Sequence, residues 1–197
     1  MLVRLSAILL LLAAGLISCA KKGDIYHTTF TKADSVTDFY LSLQDSVIRS
    51  WNIMINDDNQ KIKTMRNLLH ELKVTSGVDQ FGIYEERLDD LKDLRYNQES
   101  MGNKDIIEQY DLASSSLASE LINIAEARTE FSYNTTLQKL VQEIRITDQR
   151  VALFRSEYDA ITKKYNSFLQ TNMNYLNDFA QKDSMALRPL FRPADSD

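Results

Sequence analysis

Residues 137–168 read LQKLVQEIRITDQRVALFRSEYDAITKKYNSF, and this stretch decides the fold class. Its apolar and aromatic side chains recur at alternating steps of three and four residues, which is the heptad spacing of a coiled-coil seam on one helix face. The seam consists of Leu137, Leu140, Ile144, Thr147, Val151, Phe154, Tyr158, Ile161, Tyr165 and Phe168. Such a helix must bury its stripe, either against helices of its own chain or against a second copy, so a homo-oligomer stays open.

The segments before this seam can supply the partners. A stripe of similar spacing runs through 36–72 and is interrupted at Asp58, inside the polar run 56–60. Shorter helical patterns follow at 83–95 and 105–124, with breaks predicted at 74–82, 96–104 and 128–135. The chain of 197 residues has only five glycines and two prolines, which does not suit a protein of strands and turns. We therefore predict an all-α fold, an elongated antiparallel bundle of three to four long helices.

The N-terminus predicts a lipid anchor. Arg4 precedes an apolar run at 5–17, which is shorter than the about 20 residues of a membrane-spanning helix and suits a signal peptide. The residues Leu16-Ile17-Ser18-Cys19 then resemble the bacterial lipobox, whose cysteine is lipidated before cleavage. Cys19 is the only cysteine, so it has no partner for an intrachain disulfide. An ordinary secretory signal cleaved near Ser18 is the alternative.

These features divide the chain into four parts. We predict a lipoprotein signal peptide at 1–18, a lipidated flexible tether at 19–33, a helical bundle at 34–187 and a disordered tail at 188–197 that contains both prolines. Lipid at Cys19 would hold the bundle at the bacterial cell envelope, and Ala20 after the cysteine favours the outer membrane of a Gram-negative cell. Two or three acyl chains hold firmly, whereas one chain binds only marginally.

The charge of the chain argues against nucleic acid as a partner. The net charge is −5, and removal of residues 1–18 takes away Arg4 and makes it one unit more negative. Binding to nucleic acid depends on clustered lysine and arginine that neutralise phosphates.

Several residues of the last helix resemble the LemA family of bacterial membrane-associated proteins. The matching positions are Asp148, Arg150, Arg155, Tyr158, Tyr165 and Asn166, and upstream Trp51, Asn67, Arg95 and Glu126. The resemblance covers roughly 36–170. It departs from the family pattern at Arg66, where the family has proline, and at 57–59, where Asp57-Asp58-Asn59 replaces a basic run.

The resemblance implies a long helical bundle attached to a membrane at its N-terminus, with no secure enzymatic activity and a part in envelope processes or membrane-bound assemblies. We accordingly expect a non-enzymatic interaction or scaffold protein of the envelope, without cofactors, that binds the membrane through lipid and binds protein partners. The alternative is an accessory lipoprotein that binds a ligand or a divalent metal.

The sequence offers few candidates for other chemistry. His27 and His70 are far apart, and His70 is expected to be solvated. The acidic residues of 86–93 form a stripe, which fits either a self-paired solvated face or a cation site. Arg150 and Arg155 flank the seam, and we expect them to pair with acids of neighbouring helices, for which Glu126, Glu143 and Asp148 are candidates. Asp58 is expected to be exposed or paired with such an arginine.

Overall fold

The computed structural model describes residues 31–76, 81–176 and 185–191, so the predicted signal peptide, Cys19, His27 and nearly all of the predicted tether lie outside the described part. Lys32 begins one compact unit. Its described residues form four α-helices and no strand, which confirms the all-α bundle. They are α1 (Lys32–Ser76), α2 (Gly82–Leu94), α3 (Lys104–Glu126) and α4 (Thr135–Leu176), with 3-10 turns at Ser100–Gly102 and Thr129–Ser132.

The two long helices α1 and α4 pack against each other in antiparallel orientation. Near the start of α1 the Lys32 ammonium donates to the Tyr175 hydroxyl at 3.1 Å. At the other end Asn134, just before α4, donates from its amide nitrogen to Glu71 at 3.2 Å. The beginning of α1 therefore lies beside the end of α4, as the stripe at 36–72 and the heptad seam predict.

The shorter helices α2 and α3 cover only the second half of α1. Helix α2 runs back along α1, and Lys73 pairs with Glu85 where α2 begins. Helix α3 runs antiparallel to α4, and Glu126 near its end pairs with Arg145. Four helices therefore pack together along the second half of α1, whereas α2 and α3 are absent from the first half.

Local sequence signals fix where α3 and α4 begin. The Asn103 side chain accepts a hydrogen bond from the Asp105 amide at 3.0 Å. Asn134 does the same for the amides of Thr136 and Leu137, at 3.0 and 3.1 Å. A side-chain oxygen at this position satisfies an amide that has no partner within the helix. The predicted breaks before both helices are thus confirmed, with capping residues that set the first turns.

The buried face of α4 keeps one half of the predicted seam and departs from the other. Leu137, Ile144, Tyr158 and Tyr165 are buried as predicted. Val141, Thr162 and Leu169 are also buried, whereas the predicted seam residues Leu140, Ile161 and Phe168 are only half-buried. In these three heptads the second buried position lies four residues after the first and not three. Residues three and four positions apart lie on the same helix face, so spacing alone does not choose between them.

The prediction of a disordered tail at 188–197 is wrong for its first residues. Residues 185–191, which we call the strap, lie against the bundle without forming a helix. The Asn166 side chain both donates to the Arg188 carbonyl at 2.8 Å and accepts from the Arg188 amide at 2.9 Å. Proline stops a helix but does not prevent packing where side chains satisfy the backbone. Residues 192–197 lie outside the described part.

None of the four helices that the structure describes is long and apolar enough to cross a membrane.

Candidate functional site

Charged and phenolic side chains from all four helical segments meet beside the middle of α1. We call this set the polar cluster; it consists of Asp57, Asp58, Lys61, Arg95, Tyr110, Asp111, Asp148, Arg150 and Arg155. Of its α1 members, Asp57 and Asp58 belong to the polar run that interrupts the apolar stripe, and Lys61 directly follows that run. The interruption therefore marks a contact between helices and not a break in α1, which continues through it.

Asp58 is the best-connected carboxylate of the polar cluster. Each of its oxygens lies 2.6 Å from the Tyr110 hydroxyl, which donates to it, and Arg95 donates to it at 3.2 Å. Burial and the neighbouring Asp58 charge raise the pKa of Tyr110. Asp58 is thus paired with an arginine, one of the two expected environments, but the arginine is Arg95 rather than one from α4.

Two further ion pairs join α1 to α4. Arg150 pairs with Asp57 at 2.5 Å, and Asp148 pairs with Lys61 at 2.5 Å. The Lys61 side chain is only 4% exposed, whereas the Asp148 side chain is 51% exposed. Burial raises the pKa of Asp57 even though Arg150 opposes the shift. The ionised form of Asp57 is therefore less favourable in the folded state than in the unfolded chain.

Arg155 joins α4 to α3 and to the connection after α2. Its two terminal nitrogens donate to the two oxygens of Asp111 at 2.7 Å each, and one also donates to the Tyr96 hydroxyl at 3.1 Å. Its guanidinium lies 5.4 Å from the Tyr96 ring centre and 4.9 Å from that of Phe191. Burial alone would lower the pKa of Arg155, but the bonds to Asp111 and Tyr96 raise it above its usual value.

A cavity of about 130 Å³ lies within the polar cluster, bordered by α1, α3 and α4. Asp57, Lys61 and Arg155 contribute to its walls. Ser114 also lines it, and the buried hydroxyl oxygen of Ser114 has no hydrogen-bond partner. Such a polar space can hold ordered water or a small polar molecule, because it offers groups that still need a hydrogen bond.

The other residues of the family-like pattern are placed as follows. Trp51 packs edge-on against Tyr158 and Tyr96, with ring centres 5.8 and 6.1 Å apart. Tyr165 is buried beside Tyr40. Asn67 is exposed on α1, outside the polar cluster.

The predicted partners of Arg150 and Arg155 are corrected by the structure. Glu126 pairs with Arg145, Asp148 pairs with Lys61, and Glu143 lies 3.9 Å from Lys139 on its own helix. Each of these acids is thus in an ion pair with another cation.

Sequence reasoning missed Lys61, Tyr110 and Asp111 as members of the polar cluster. Asp111 and Tyr110 stand next to the apolar stripe of α3, and nothing in the linear spacing shows which helix they face. The only available signal was the polar run at 56–60, which had to meet polar groups if it was buried.

The structure also shows the surroundings of Asp89, from the acidic stripe at 86–93, and of His70. Asp89 pairs with Arg66 at 2.9 Å, and this contact lowers the pKa of Asp89. His70 is exposed. Across residues 31–76, 81–176 and 185–191 no group of three or more histidine, cysteine or acidic side chains is arranged to hold a metal ion.

Comparison with protein-family models, with curated proteins and with solved structures gave no match for this chain.

Proposed function

We propose that this chain is a bacterial envelope lipoprotein of the LemA type, anchored by lipid at Cys19, whose bundle is a non-enzymatic interaction or scaffold element. The observation that carries the proposal is the polar cluster. The family-like residues there are Arg95, Asp148, Arg150 and Arg155, and each of them binds a side chain of a helix other than its own. Their common effect is to fix the axial register of the helices, which is what a rigid support requires.

The geometry of the long helices supports the same proposal. Helix α1 has 45 residues and extends about 65 Å at 1.5 Å per residue. The chain enters α1 at Lys32, in the half that α2 and α3 do not cover. With lipid on Cys19, about a dozen tether residues would precede this point and reach about 45 Å when fully extended. The half that carries α2 and α3 would then be available to partners in the envelope space.

The anchor is tested by metabolic labelling with a palmitate analogue. We expect labelling of the wild-type chain and none of Cys19→Ser. The matched control is Cys19→Ser combined with Ser42→Cys, which restores a thiol at an exposed position of α1 and should not restore labelling. Unchanged labelling of Cys19→Ser would refute lipidation at this residue.

The interaction role is tested by photo-crosslinking in intact cells. A photoreactive residue at Tyr133 or Leu112, both 72% exposed, should capture discrete envelope proteins. The matched control places it at the buried Leu121, where capture should be confined to the chain itself. Capture of only lipid and the chain itself from the exposed positions would contradict the scaffold role.

The cavity of the polar cluster favours a second candidate function, a lipoprotein that binds a small polar ligand. The unsatisfied Ser114 hydroxyl in its wall is the specific observation. A panel of amino acids, sugars and divalent cations is tested for its effect on the melting temperature. An increase of several degrees in wild type that Ser114→Ala abolishes would support this function, and no increase with any compound would count against it.

A further inference from the structure

The backbone of the strap is bound at two points by polar side chains of α4. Asn166 makes two hydrogen bonds to the backbone of Arg188, and the Asp159 carboxylate accepts the Phe191 amide at 2.8 Å. Bonds of this kind hold an extended segment without reading its side chains, as in other modes of peptide recognition. The groove between α4 and the connection after α2 therefore has the chemistry of a site for extended chain.

The groove also has a specific pocket for one aromatic side chain. The Phe191 ring lies edge-on to Tyr96 and Tyr158, with ring centres 5.4 and 5.7 Å apart, and Arg155 lies over its face. Trp51 packs against the same two tyrosines. Aromatic pairs of this geometry stabilise a contact beyond the effect of the area that they bury. Phe191 is thus one side-chain anchor of the strap, and the buried Met185 is the other.

Two clefts flank the strap. One of about 890 Å³ lies on its α1 side, between Ile48 and Leu187, and one of about 440 Å³ lies on its α4 side, beside Phe191 and Ala152. Leu187 is 52% exposed at the edge of the first cleft. A longer or bulkier segment than the strap would therefore make contacts in this groove that the strap does not make.

We propose that the groove is a peptide-binding site and that the strap is its resident intramolecular occupant. Its second ligand is an extended segment of a partner protein. In that segment an aromatic residue follows, three positions later, the residue whose backbone binds Asn166. Arg188 and Phe191 have this spacing in the strap. The partner displaces the strap by filling the two clefts. This proposal rests on the proposed function as an interaction protein and names the surface and the class of partner.

The test uses the full mature chain and a fluorescent peptide with the strap sequence MALRPLF. Phe191→Ala weakens the strap without changing the groove, and its binding of the peptide is followed by anisotropy. We expect saturable binding to Phe191→Ala and at least tenfold weaker binding to wild type, because a site that is open a tenth of the time binds with a tenth of its intrinsic affinity. Trp51, the only tryptophan, reports the same event through its fluorescence.

Three controls make the result specific. Leu187→Ala changes an exposed strap side chain and should behave as wild type. Phe191→Ala with Asn166→Ala should lose binding, because the groove no longer bonds the peptide backbone. A peptide with alanine in place of its phenylalanine should not bind. If Phe191→Ala does not fold, Arg188→Pro serves instead. It changes only the strap, and it removes the backbone N–H that donates a hydrogen bond to Asn166.

Two results would overturn the proposal. One is no binding by a folded variant whose strap is weakened, and the other is equal binding by that variant and wild type. Neither result depends on lipid or on a cellular partner. Failure of the peptide test with successful crosslinking in cells would therefore reject this site alone, whereas peptide binding without any captured partner would reject the proposed function.

Discussion

The ion pair between Lys61 and Asp148 has one buried member and one exposed member, and this difference predicts unequal effects of removing each. The Lys61 ammonium lies 2.5 Å from Asp148, with side chains 4% and 51% exposed. Asp148→Ala leaves a buried ammonium without its partner. Lys61→Met leaves a carboxylate that water already reaches, and it fills the lysine site with an apolar chain of similar volume.

The magnitudes follow from the cost of isolating a buried charge. Removing one partner of a buried pair destabilises a protein by about 3–5 kcal/mol. The neighbouring Asp57 also interacts with Lys61 and compensates part of its charge. We therefore expect Asp148→Ala to lower the free energy of unfolding by about 3 kcal/mol, at the low end of that range. Because the remaining Asp148 carboxylate is half exposed and stays hydrated, Lys61→Met should change this free energy by less than about 1 kcal/mol.

Urea unfolding followed by circular dichroism measures both effects on the mature chain. In thermal melts a loss of 3 kcal/mol corresponds to a decrease of about 6–12 °C for a domain of this size. Asp89→Ala is the matched control, because its pair with Arg66 is exposed on both sides and its loss should affect stability far less than Asp148→Ala. A loss from Lys61→Met as large as that from Asp148→Ala would refute the reasoning, as would a loss below 1 kcal/mol from Asp148→Ala.

Three further predictions concern the other members of the polar cluster. Arg155→Ala should lower the free energy of unfolding in urea by about 2–3 kcal/mol, because it removes the charged hydrogen bonds to Asp111 and the contact with Phe191. A loss no greater than that of Arg145→Ala would contradict this. Tyr110→Phe removes the hydroxyl that donates a hydrogen bond to Asp58 and should lower the free energy of unfolding by about 1–2 kcal/mol. Tyr133→Phe, at an exposed position, should not change it measurably. Burial raises the pKa of Asp57 above 3.8, so its destabilising effect is absent below that pH and complete above the raised value. Wild type should therefore lose stability relative to Asp57→Asn as the pH rises from below 3.8 to neutrality, and the opposite trend would show that Asp57 is stabilised in its charged form.

The fold followed from the sequence because periodicity depends on the chain alone. The order of the helices, the breaks between them and the antiparallel packing of α1 and α4 all come from spacing and from scarce glycine and proline. The exact contact face of α4 did not: Val141 and Thr162 are buried where Leu140 and Ile161 were predicted, and residues three and four positions apart lie on the same helix face. The strap was missed for a related reason. Its anchors Asn166 and Asp159 lie on α4. Asn166 was recognised only as a family-like position and Asp159 not at all, and nothing in the spacing indicates that either binds a backbone.

The sequence indicated which charged residues form ion pairs between helices, but not which residue pairs with which. Arg150 and Arg155 were expected to bind acids of other helices, yet the candidate Glu126 instead faces Arg145. A shift of one helical turn along the axis, about 5 Å, exchanges one set of partners for another. That axial register is set by packing along the whole length of α1 and α4. Asp58 was recognisable because an acid inside an apolar stripe is unusual, but its partners Arg95 and Tyr110 come from segments whose position only the fold defines.

The path of the strap has a practical consequence for anyone who captures partners with this protein. Since residues 185–191 turn back along α4, Phe191 lies next to Asp159, in the middle of that helix and not at its end. An affinity tag or fluorescent protein fused after Asp197 would begin about six residues beyond Phe191, which itself lies over Arg155, and would compete for the space that we assign to a partner. Insertion near Tyr133, in the exposed turn between α3 and α4, leaves that space open. Baits built in the two ways should therefore recover different proteins.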